Sequence, residues 1–308
     1  MELDLEGKRR VLRHLGDHRV KLDISGGDPL SVKENYVLLR EASELLGRDQ
    51  ITLTATGAGL ATYAVSEIVP YVGELNFTYD GTSLQKGSLR PATYAKGNLR
   101  KARQFADAGV RVRGECPLTV HNSQPQVLRR IYQDLHDAGV ETLLVMRLFP
   151  VGRGVSTSAA TPNPGGYRAA IDTLRQLERA NGSPKVKLQC ALKHLDGFSA
   201  GENPCDAITQ SFGLTPQGIL LGSPWAVDAV GRPMDDAWVL GNLADQPLST
   251  ILLSHKAANL RRRADENHGH CKIFSWLNGR SRSSVDRIFE KSDPLYRTQA
   301  QFRADGTA

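Results

Sequence analysis

The feature that most constrains the fold is a regular alternation of short apolar runs with longer amphipathic segments. The apolar runs, which are typical of β-strands, fall at residues 20–25, 50–56, 74–79, 109–120, 141–149 and 185–192. The segments between them, such as 31–47 and 165–180, carry apolar residues at helical spacing. Strands that alternate with helices predict βαβ units, a parallel sheet and right-handed crossovers. This order predicts a βα barrel or an open sheet, in which ligands lie at the carboxyl ends of the strands.

The helical segments carry start and stop signals. Ser31 and Glu34 have the spacing of a capping box, and Gly47 is a suitable end for the helix that they would begin. Asn98 predicts the start of a second helix and Ser123 the start of a third. These signals place a helix after each of three strands, as βαβ units require.

Composition excludes several classes of protein. The chain has 308 residues, 40% of them hydrophobic, which is typical of a soluble globular protein. No apolar run is long enough to span a membrane, and the charged, amphipathic N-terminus does not resemble a signal peptide, so we expect a cytoplasmic protein without a membrane partner. The net charge is +6, but the basic residues are scattered and no nucleic-acid motif accompanies them. We therefore expect no nucleic-acid partner.

The pattern changes near residue 193. The stretch 193–206 is loop-like, and residues 208–225 are predicted to form a hairpin with its turn near Pro216–Gly218. A helix begins within the next segment, 239–255. We predict a boundary here, with one domain over 1–192 and a smaller α+β module over 193–308.

The first strand ends in an unusual turn, "ISGGDPL". Two adjacent glycines, Gly26 and Gly27, would let the polar head of a ligand approach the backbone directly. The acid beside them, Asp28, could hold an ammonium group. A phosphate is not indicated, because neither G-x-G-x-x-G nor a Walker lysine follows. A purely structural strand-to-helix turn is the alternative interpretation.

This turn resembles the second-strand motif of radical S-adenosylmethionine (SAM) enzymes, in which two glycines and an acid, usually glutamate, meet the amino group of SAM. Residues 76–91 resemble the family's fourth-strand segment: Thr78 stands in place of a serine that contacts SAM, and Arg90 falls on the arginine that pairs with its carboxylate. Residues 145–154 resemble the sixth-strand ending that lines the adenine, and we expect Asn122 to line the same site. The resemblance covers most of residues 1–192. It implies SAM as cofactor and an incomplete (β/α)6-type partial barrel, a relative of the TIM barrel, and it identifies no catalytic residue.

The C-terminal part resembles the SPASM domain, which holds additional iron–sulfur clusters in many peptide-modifying members of the family. Cys205, Gly218 and Ser223 fit its opening frame, but Ser223 replaces the second cysteine. Residues 238–252 resemble its "GN(I/L)" segment. Iron–sulfur clusters need about four soft ligands, so we expect a degenerate, cluster-free SPASM-like domain. The weak metal candidates that remain there are Cys205, His268, His270 and Cys271.

The chain has four cysteines, and none of them forms a CxxC pair. In a long cytoplasmic chain they are expected to be buried reduced thiols. The family's Cys-x-x-x-Cys-x-x-Cys motif, whose thiolates hold the [4Fe–4S] cluster that cleaves SAM, does not occur in the 308 residues. Its place would be before Met1.

Two explanations for this missing motif stay open. The chain is a cluster-less paralogue that binds SAM, a peptide or a partner without radical chemistry, or Met1 is an internal methionine and the chain begins one strand late. The second is favoured, because without a preceding strand residues 20–25 would form an uncovered apolar edge.

The resemblance implies a radical SAM enzyme that modifies a peptide or protein. Its complete form would use a reduced [4Fe–4S] cluster to produce a 5′-deoxyadenosyl radical, with a flavodoxin or ferredoxin as reductant. The alternative from another class is a non-catalytic SAM- or peptide-binding module. A third possibility, a barrel enzyme that acts on sugars or phosphates, predicts convergent carboxylates or a phosphate loop, and neither is found in the sequence.

Overall fold

The computed structural model describes residues 2–16, 18–55, 57–81, 92–151, 161–196, 205–266 and 271–295. Contacts between residues divide the chain into two compact units. The sheet unit comprises Gly16–Arg147 and Ala160–Gln189. The hairpin unit comprises Met1–Leu15, Leu148–Ala159 and Cys190–Ala308.

Six parallel strands form the centre of the sheet unit and are hydrogen-bonded in the order in which they occur in the chain. They are β1 (Leu22–Ile24), β2 (Ile51–Thr54), β3 (Glu74–Thr78), β4 (Arg111–Leu118), β5 (Thr142–Arg147) and β6 (Lys185–Leu188). An uninterrupted order is that of a barrel, whereas a doubly wound sheet reverses direction at its centre. Among the described strands, β1 and β6 each have one neighbour, so the barrel is open. The predicted parallel α/β sheet is confirmed.

Eleven helices are present in the described part of the chain. They are α1 (Leu5–Gly16), α2 (Lys33–Leu46), α3 (Ala58–Thr62), α4 (Val65–Ile68), α5 (Ala92–Asp107), α6 (Pro125–Asp137), α7 (Pro164–Asn181), α8 (Leu248–Leu253), α9 (His255–Glu266), α10 (Lys272–Asn278) and α11 (Ser284–Phe289). Helix α2 packs against β2, α5 against β3 and β4, and α7 against β6.

Two predicted helix starts are wrong. The N-cap of α2 is Val32, and the Ser31 hydroxyl instead donates to the Asp28 carbonyl within a short 3₁₀ turn, so no capping box forms. Helix α5 begins six residues before Asn98, at Ala92. Asn98 is buried in the middle of that helix, where its side-chain oxygen accepts the backbone N–H of Gly57. A polar residue with a distant partner was thus mistaken for a cap.

The two faces of the sheet differ in chemistry, because successive side chains of a strand point to opposite sides. One face carries buried apolar residues that pack against the helices, such as Leu53, Phe77 and Val145. The other face is polar along β1 to β4. A parallel sheet that is covered by helices on both sides has continuously apolar strands. The polar face is therefore not the face that the helices cover.

The hairpin unit contains a three-stranded antiparallel sheet of β7 (Gly213–Leu214), β8 (Ile219–Leu221) and β9 (Val239–Asn242). The turn between β7 and β8 is closed by a hydrogen bond from the Gly218 N–H to the Thr215 carbonyl. Gly218 has a φ of 82°, a backbone conformation that favours glycine at this position of the turn. The predicted hairpin is confirmed. None of the described helices has both the length and the apolar character needed to cross a membrane.

Candidate SAM-binding site

The turn after β1 presents open backbone. Gly26 has a φ of 111°, in the region that favours glycine, and both Gly26 and Gly27 are exposed. A Cβ added at either residue would meet no atom within 4 Å. Neither glycine is therefore required by close packing of the protein itself, and the space beside the turn can admit a ligand.

The two carboxylate oxygens of Asp28 differ in their hydrogen bonding. Its Oδ2 accepts the backbone N–H of Gly59 at 2.7 Å, which fixes the turn against the start of α3. Its Oδ1 is buried and has no hydrogen-bond partner in the described part of the chain. An unsatisfied buried carboxylate oxygen is costly. A cationic donor such as the ammonium group of SAM would satisfy it, so the residues of this turn fit that group.

The end of β3 lies at the same edge of the sheet, two strands away from β1. Thr78 is half-buried and pairs in register with Glu115 of β4. The next residue, Tyr79, is anchored on the opposite face by a 2.7 Å hydrogen bond from its hydroxyl to Asp134 of α6. Burial and this carboxylate raise the pKa of Tyr79 well above its ordinary value. The anchor fixes the position of Thr78, while Arg90 lies outside the described residues.

Asn122 connects the ends of two strands. Its side chain is buried, accepts the backbone N–H of Thr119 at 2.7 Å and donates to the carbonyl of Pro117 at 2.9 Å. A longer contact of 3.5 Å reaches the carbonyl of Asp80 after β3. These partners give Asn122 a positioning role, in which it holds the loops after β3 and β4 together.

Below this edge, the polar face carries a hydrogen-bonded chain across three strands. The Asn76 amide donates to the Thr54 hydroxyl at 3.2 Å, and that hydroxyl donates to the Asp23 carboxylate at 2.8 Å. Asp23 is solvent-exposed, yet the surrounding strands desolvate it enough to raise its pKa, although Thr54 and Arg113 act in the opposite direction. The side-chain oxygen of Asn76 is buried without a hydrogen-bond partner in the part of the chain that the structure describes. The polar face thus offers two further hydrogen-bond acceptors, the Asp23 carboxylate and the Asn76 side-chain oxygen.

Glu74, the first residue of β3, is a charged residue on the same polar face. Lys21 lies 2.6 Å from Oε2, and Arg113 lies 2.5 Å from Oε1. Burial alone would raise the pKa of Glu74, but the hydrogen bond from Lys21 and the charge of Arg113 outweigh burial and lower it. Glu74 is therefore an ionised structural partner, whereas Asp23 is an exposed carboxylate on the same face.

The residues present do not fit the iron–sulfur cluster that the resemblance implies. The sheet unit contains one cysteine, Cys116, which is buried on β4 and whose pKa is raised by burial. A cluster needs about four soft ligands. Across the described residues no group of three or more His, Cys, Asp or Glu side chains is arranged to hold a metal ion.

The weak metal candidates in the hairpin unit are placed only in part. Cys205 and Cys271 are both buried, whereas His268 and His270 lie outside the described residues. Ser223, which replaces the second cysteine of the SPASM frame, is buried, and its hydroxyl accepts the backbone N–H of Trp225 at 3.3 Å. Ser223 thus acts as a local turn cap.

Comparisons with known proteins show the fold. By sequence, no family model and no curated protein matches the chain. By structure, it is similar to Streptococcus suis SuiB bound to S-adenosylmethionine, with a TM-score of 0.71 and 14% identity over 96% of this chain and 70% of that one. It is also similar to SuiB bound to the precursor peptide SuiA, with a TM-score of 0.71 and 12% identity over 96% and 69% of the two chains. Native anSMEcpe with bound AdoMet and the Cp18Cys peptide gives a TM-score of 0.60 and 16% identity over 98% and 92%.

Proposed function

We propose that this chain binds S-adenosylmethionine at the carboxyl ends of its strands and acts on a peptide or protein, as a member of the radical SAM superfamily. The observation that carries the proposal is the open turn at Gly26 and Gly27, with the unsatisfied Asp28 oxygen beside it. The fold supports it, because the similar structures include proteins with bound S-adenosylmethionine and with bound peptides.

In this proposal each residue of the turn has a defined task. The glycine backbone leaves room for the amino-acid end of SAM, and the Asp28 carboxylate accepts its ammonium group. Thr78 contacts SAM from β3, and Arg90 pairs with its carboxylate through a bidentate fork. On one-electron reduction SAM would supply a carbon-centred radical, and the protein would orient it and shield it from water. A flavodoxin or ferredoxin as reductant is part of the same proposal.

Isothermal titration calorimetry with SAM tests the assignment. The key variant is Asp28→Asn, which keeps the shape of the side chain and an oxygen for Gly59 but removes the charge. We expect Asp28→Asn and Arg90→Ala each to weaken binding about tenfold or more, because charged hydrogen bonds are worth roughly 1.5–3 kcal/mol. Asp265→Asn, at an exposed position of α9, is the matched control and should leave binding unchanged. Wild-type affinity in both site variants would refute the assignment.

A second candidate is a SAM- or peptide-binding protein without radical chemistry. It is favoured by one observation, the absence of the Cys-x-x-x-Cys-x-x-Cys motif from the 308 residues. Anaerobic incubation of the chain with iron, sulfide and dithionite distinguishes the two candidate functions. SAM binding without release of 5′-deoxyadenosine supports the binding protein, and release of 5′-deoxyadenosine that is lost in Asp28→Asn supports the enzyme.

The SPASM-like identity of residues 193–308 belongs to this proposal as well. It is supported by the antiparallel hairpin at 213–221 and by the third strand that follows it. A purified fragment of residues 193–308 tests the boundary. Cooperative thermal unfolding would support it, and a disordered fragment would favour the division in which Met1–Leu15 and Leu148–Ala159 belong to the same unit.

A further inference from the structure

The buried polar side-chain atoms of the sheet unit that lack a hydrogen-bond partner are concentrated in one place. In the described part of this unit all such atoms lie on the polar face or in the turn after β1, and they are Asp28 Oδ1, Thr52 Oγ1, Glu74 Oε1, Asn76 Oδ1 and Arg113 Nε. An unmade hydrogen bond at a buried atom is costly, so buried polar atoms normally have partners. A group from outside the chain, either a ligand or ordered water, is therefore expected to complete this face.

Two of these side chains are not explained by the contacts described above. Glu74 and Arg113 form an ion pair with each other, and Asp28 is assigned to SAM. Asn76 and Thr52 remain, and they are only 3% and 2% exposed. Both lie on the polar face, so a ligand there would meet an amide oxygen and a hydroxyl that the protein itself leaves without partners.

The exposed carboxylate of Asp23 lies beside them. Asp23 pairs in register with Thr52 of the neighbouring strand. The Thr54 hydroxyl lies 2.8 Å and 3.0 Å from the two Asp23 oxygens, and it accepts the Asn76 amide at 3.2 Å. Asp23 forms no ion pair with any described residue. An ionised carboxylate has about four acceptor sites, so Asp23 can accept several more donors.

The chemistry of this set selects a class of ligand. It offers a negative charge at Asp23, an amide oxygen at Asn76 and a hydroxyl at Thr52. The complementary group is a positively charged one with several N–H donors, which is a primary ammonium or a guanidinium. An anion would be repelled by Asp23, and an apolar group would leave the Asn76 oxygen unsatisfied.

The set lies deeper in the sheet than the turn assigned to SAM. Asn76 precedes Thr78 by two residues on the same face of β3, which corresponds to roughly 7 Å along a strand. Asp23 precedes Gly26 by three residues, which corresponds to roughly 10 Å of extended chain. A group bound here would be a neighbour of the amino-acid end of SAM and not a part of it.

We propose that Asp23, Thr54 and Asn76 form a subsite for a positively charged side chain, a lysine ammonium or an arginine guanidinium, of the peptide or protein on which the chain acts. Asp23 supplies the opposite charge, Asn76 accepts a further N–H, and Thr54 connects the two by hydrogen bonds. This inference rests on the proposed function, because the peptide or protein partner is part of that proposal.

An NMR titration of the full chain without SAM tests the subsite. The probes are Nα-acetyl-lysine amide, Nα-acetyl-arginine amide and the uncharged Nα-acetyl-norleucine amide. We expect both cationic probes to shift the carboxyl resonance of Asp23 and the backbone amide resonances of β1 and β2 in a saturable manner. The norleucine probe should bind about tenfold more weakly or worse, because it cannot form charged hydrogen bonds. The tighter of the two cationic probes identifies the preferred side chain.

Two variants test the individual residues, with the amide resonances as the readout. Asp23→Asn removes the charge and should weaken binding of the cationic probes about tenfold. Asn76→Leu keeps the size of the side chain and should weaken them as well, but without lowering the midpoint of thermal unfolding, because it removes a buried oxygen that has no partner. A purely structural role of Asn76 would give the opposite result. If either variant fails to fold, the wild-type titration with the three probes still decides.

Two controls separate this subsite from general charge effects and from the SAM site. Asp107→Asn removes an exposed carboxylate of α5, on the helical side of the sheet, and should leave probe binding unchanged. Asp28→Asn should also leave probe binding unchanged while it weakens binding of SAM. The subsite and the SAM assignment can therefore fail independently.

Three outcomes would overturn the proposal. Equal affinity for the norleucine probe would mean that charge is not recognised. No shift with either cationic probe would mean that ordered water alone completes the polar face. A shift of the Asp23 carboxyl resonance by SAM alone, together with exclusion of the cationic probes by SAM, would assign this face to SAM instead.

Discussion

The Asp28 carboxylate accepts the backbone N–H of Gly59 across 31 positions of sequence, and so joins the turn after β1 to the first turn of α3. Gly59 lies so close to this carboxylate that a Cβ there would stand 2.4 Å from Asp28 Oδ1 and 2.6 Å from the backbone nitrogen of Ser31. The contact includes backbone, so a flexible side chain cannot relieve it. The candidate ligand oxygen is therefore positioned by a glycine in a different βα unit.

The first prediction concerns this glycine. Gly59→Ala should destabilise the protein by roughly 1–3 kcal/mol, as overpacking does, and should weaken SAM binding because Asp28 is displaced. The control is Gly97→Ala in α5, where a Cβ would meet nothing within 4 Å. That variant should gain up to about 1 kcal/mol from helix propensity. Thermal unfolding and calorimetry measure both effects. A Gly59→Ala protein with unchanged stability and affinity would contradict the geometry.

A second prediction separates ligand binding from folding at the glycine pair. Gly27 has room for a side chain, so Gly27→Ala should change stability by no more than about 0.5 kcal/mol. The new methyl group enters the space that SAM would occupy, so affinity for SAM should fall. Gly26→Ala should lose affinity and also about 1–2 kcal/mol of stability, because Gly26 has a φ of 111°. If Gly27→Ala binds SAM as tightly as the wild type, the ligand does not approach this backbone.

The sequence predicted the strands well because each is a short apolar run between amphipathic segments. It failed where a polar side chain has a partner other than the end of a helix. Asn98 and Ser31 both have the chemistry of a helix cap, but Asn98 binds Gly57 and Ser31 binds Asp28. Local propensity cannot distinguish a cap from such a contact, because the partner of Asn98 lies more than forty residues away. Tertiary contacts override propensity here.

The polar face of the sheet was not predicted. The alternation that reveals the polar face is visible in the printed sequence, at Asp23, Thr54 and Asn76, but each strand is too short for it to stand out. Comparison of neighbouring strands would have found it.

A third prediction concerns the hydrogen-bonded chain on the polar face. The Thr54 hydroxyl lowers the pKa of Asp23 against the effect of desolvation. Thr54→Val should therefore raise the pKa of Asp23 further, as measured by a carbon-detected NMR titration of its carboxyl group. Because the folded-state pKa of Asp23 is already above the unfolded value, the stability that its proton provides is present at low pH and lost as pH rises. The destabilisation by Thr54→Val should accordingly be larger at pH 7 than near pH 3.

The control for this titration is Thr173→Val in α7, where the hydroxyl donates to a carbonyl of its own helix. It removes the same atom at an exposed position and should leave the pKa of Asp23 unchanged. A pKa for Asp23 in Thr54→Val that is equal to or below the wild-type value would show that Thr54 does not support the ionised carboxylate.

The last prediction concerns Glu74, a residue that is 5% exposed and whose carboxylate contacts Lys21 and Arg113. Glu74→Gln should cost roughly 1.5–3 kcal/mol at pH 7, because it removes a charged acceptor and leaves two cations without it. The folded-state pKa of Glu74 is lowered, so its contribution is present above the unfolded pKa and lost as pH falls through the folded pKa. Urea denaturation of the wild type and of Glu74→Gln at pH 7 and pH 3.5 measures this, and the difference in their free energies of unfolding should shrink at the lower pH.

The control is Glu2→Gln, which removes an exposed partner of Lys8 and should cost less than about 1 kcal/mol. Equal losses in the two variants would mean that burial adds nothing to the Glu74 interactions.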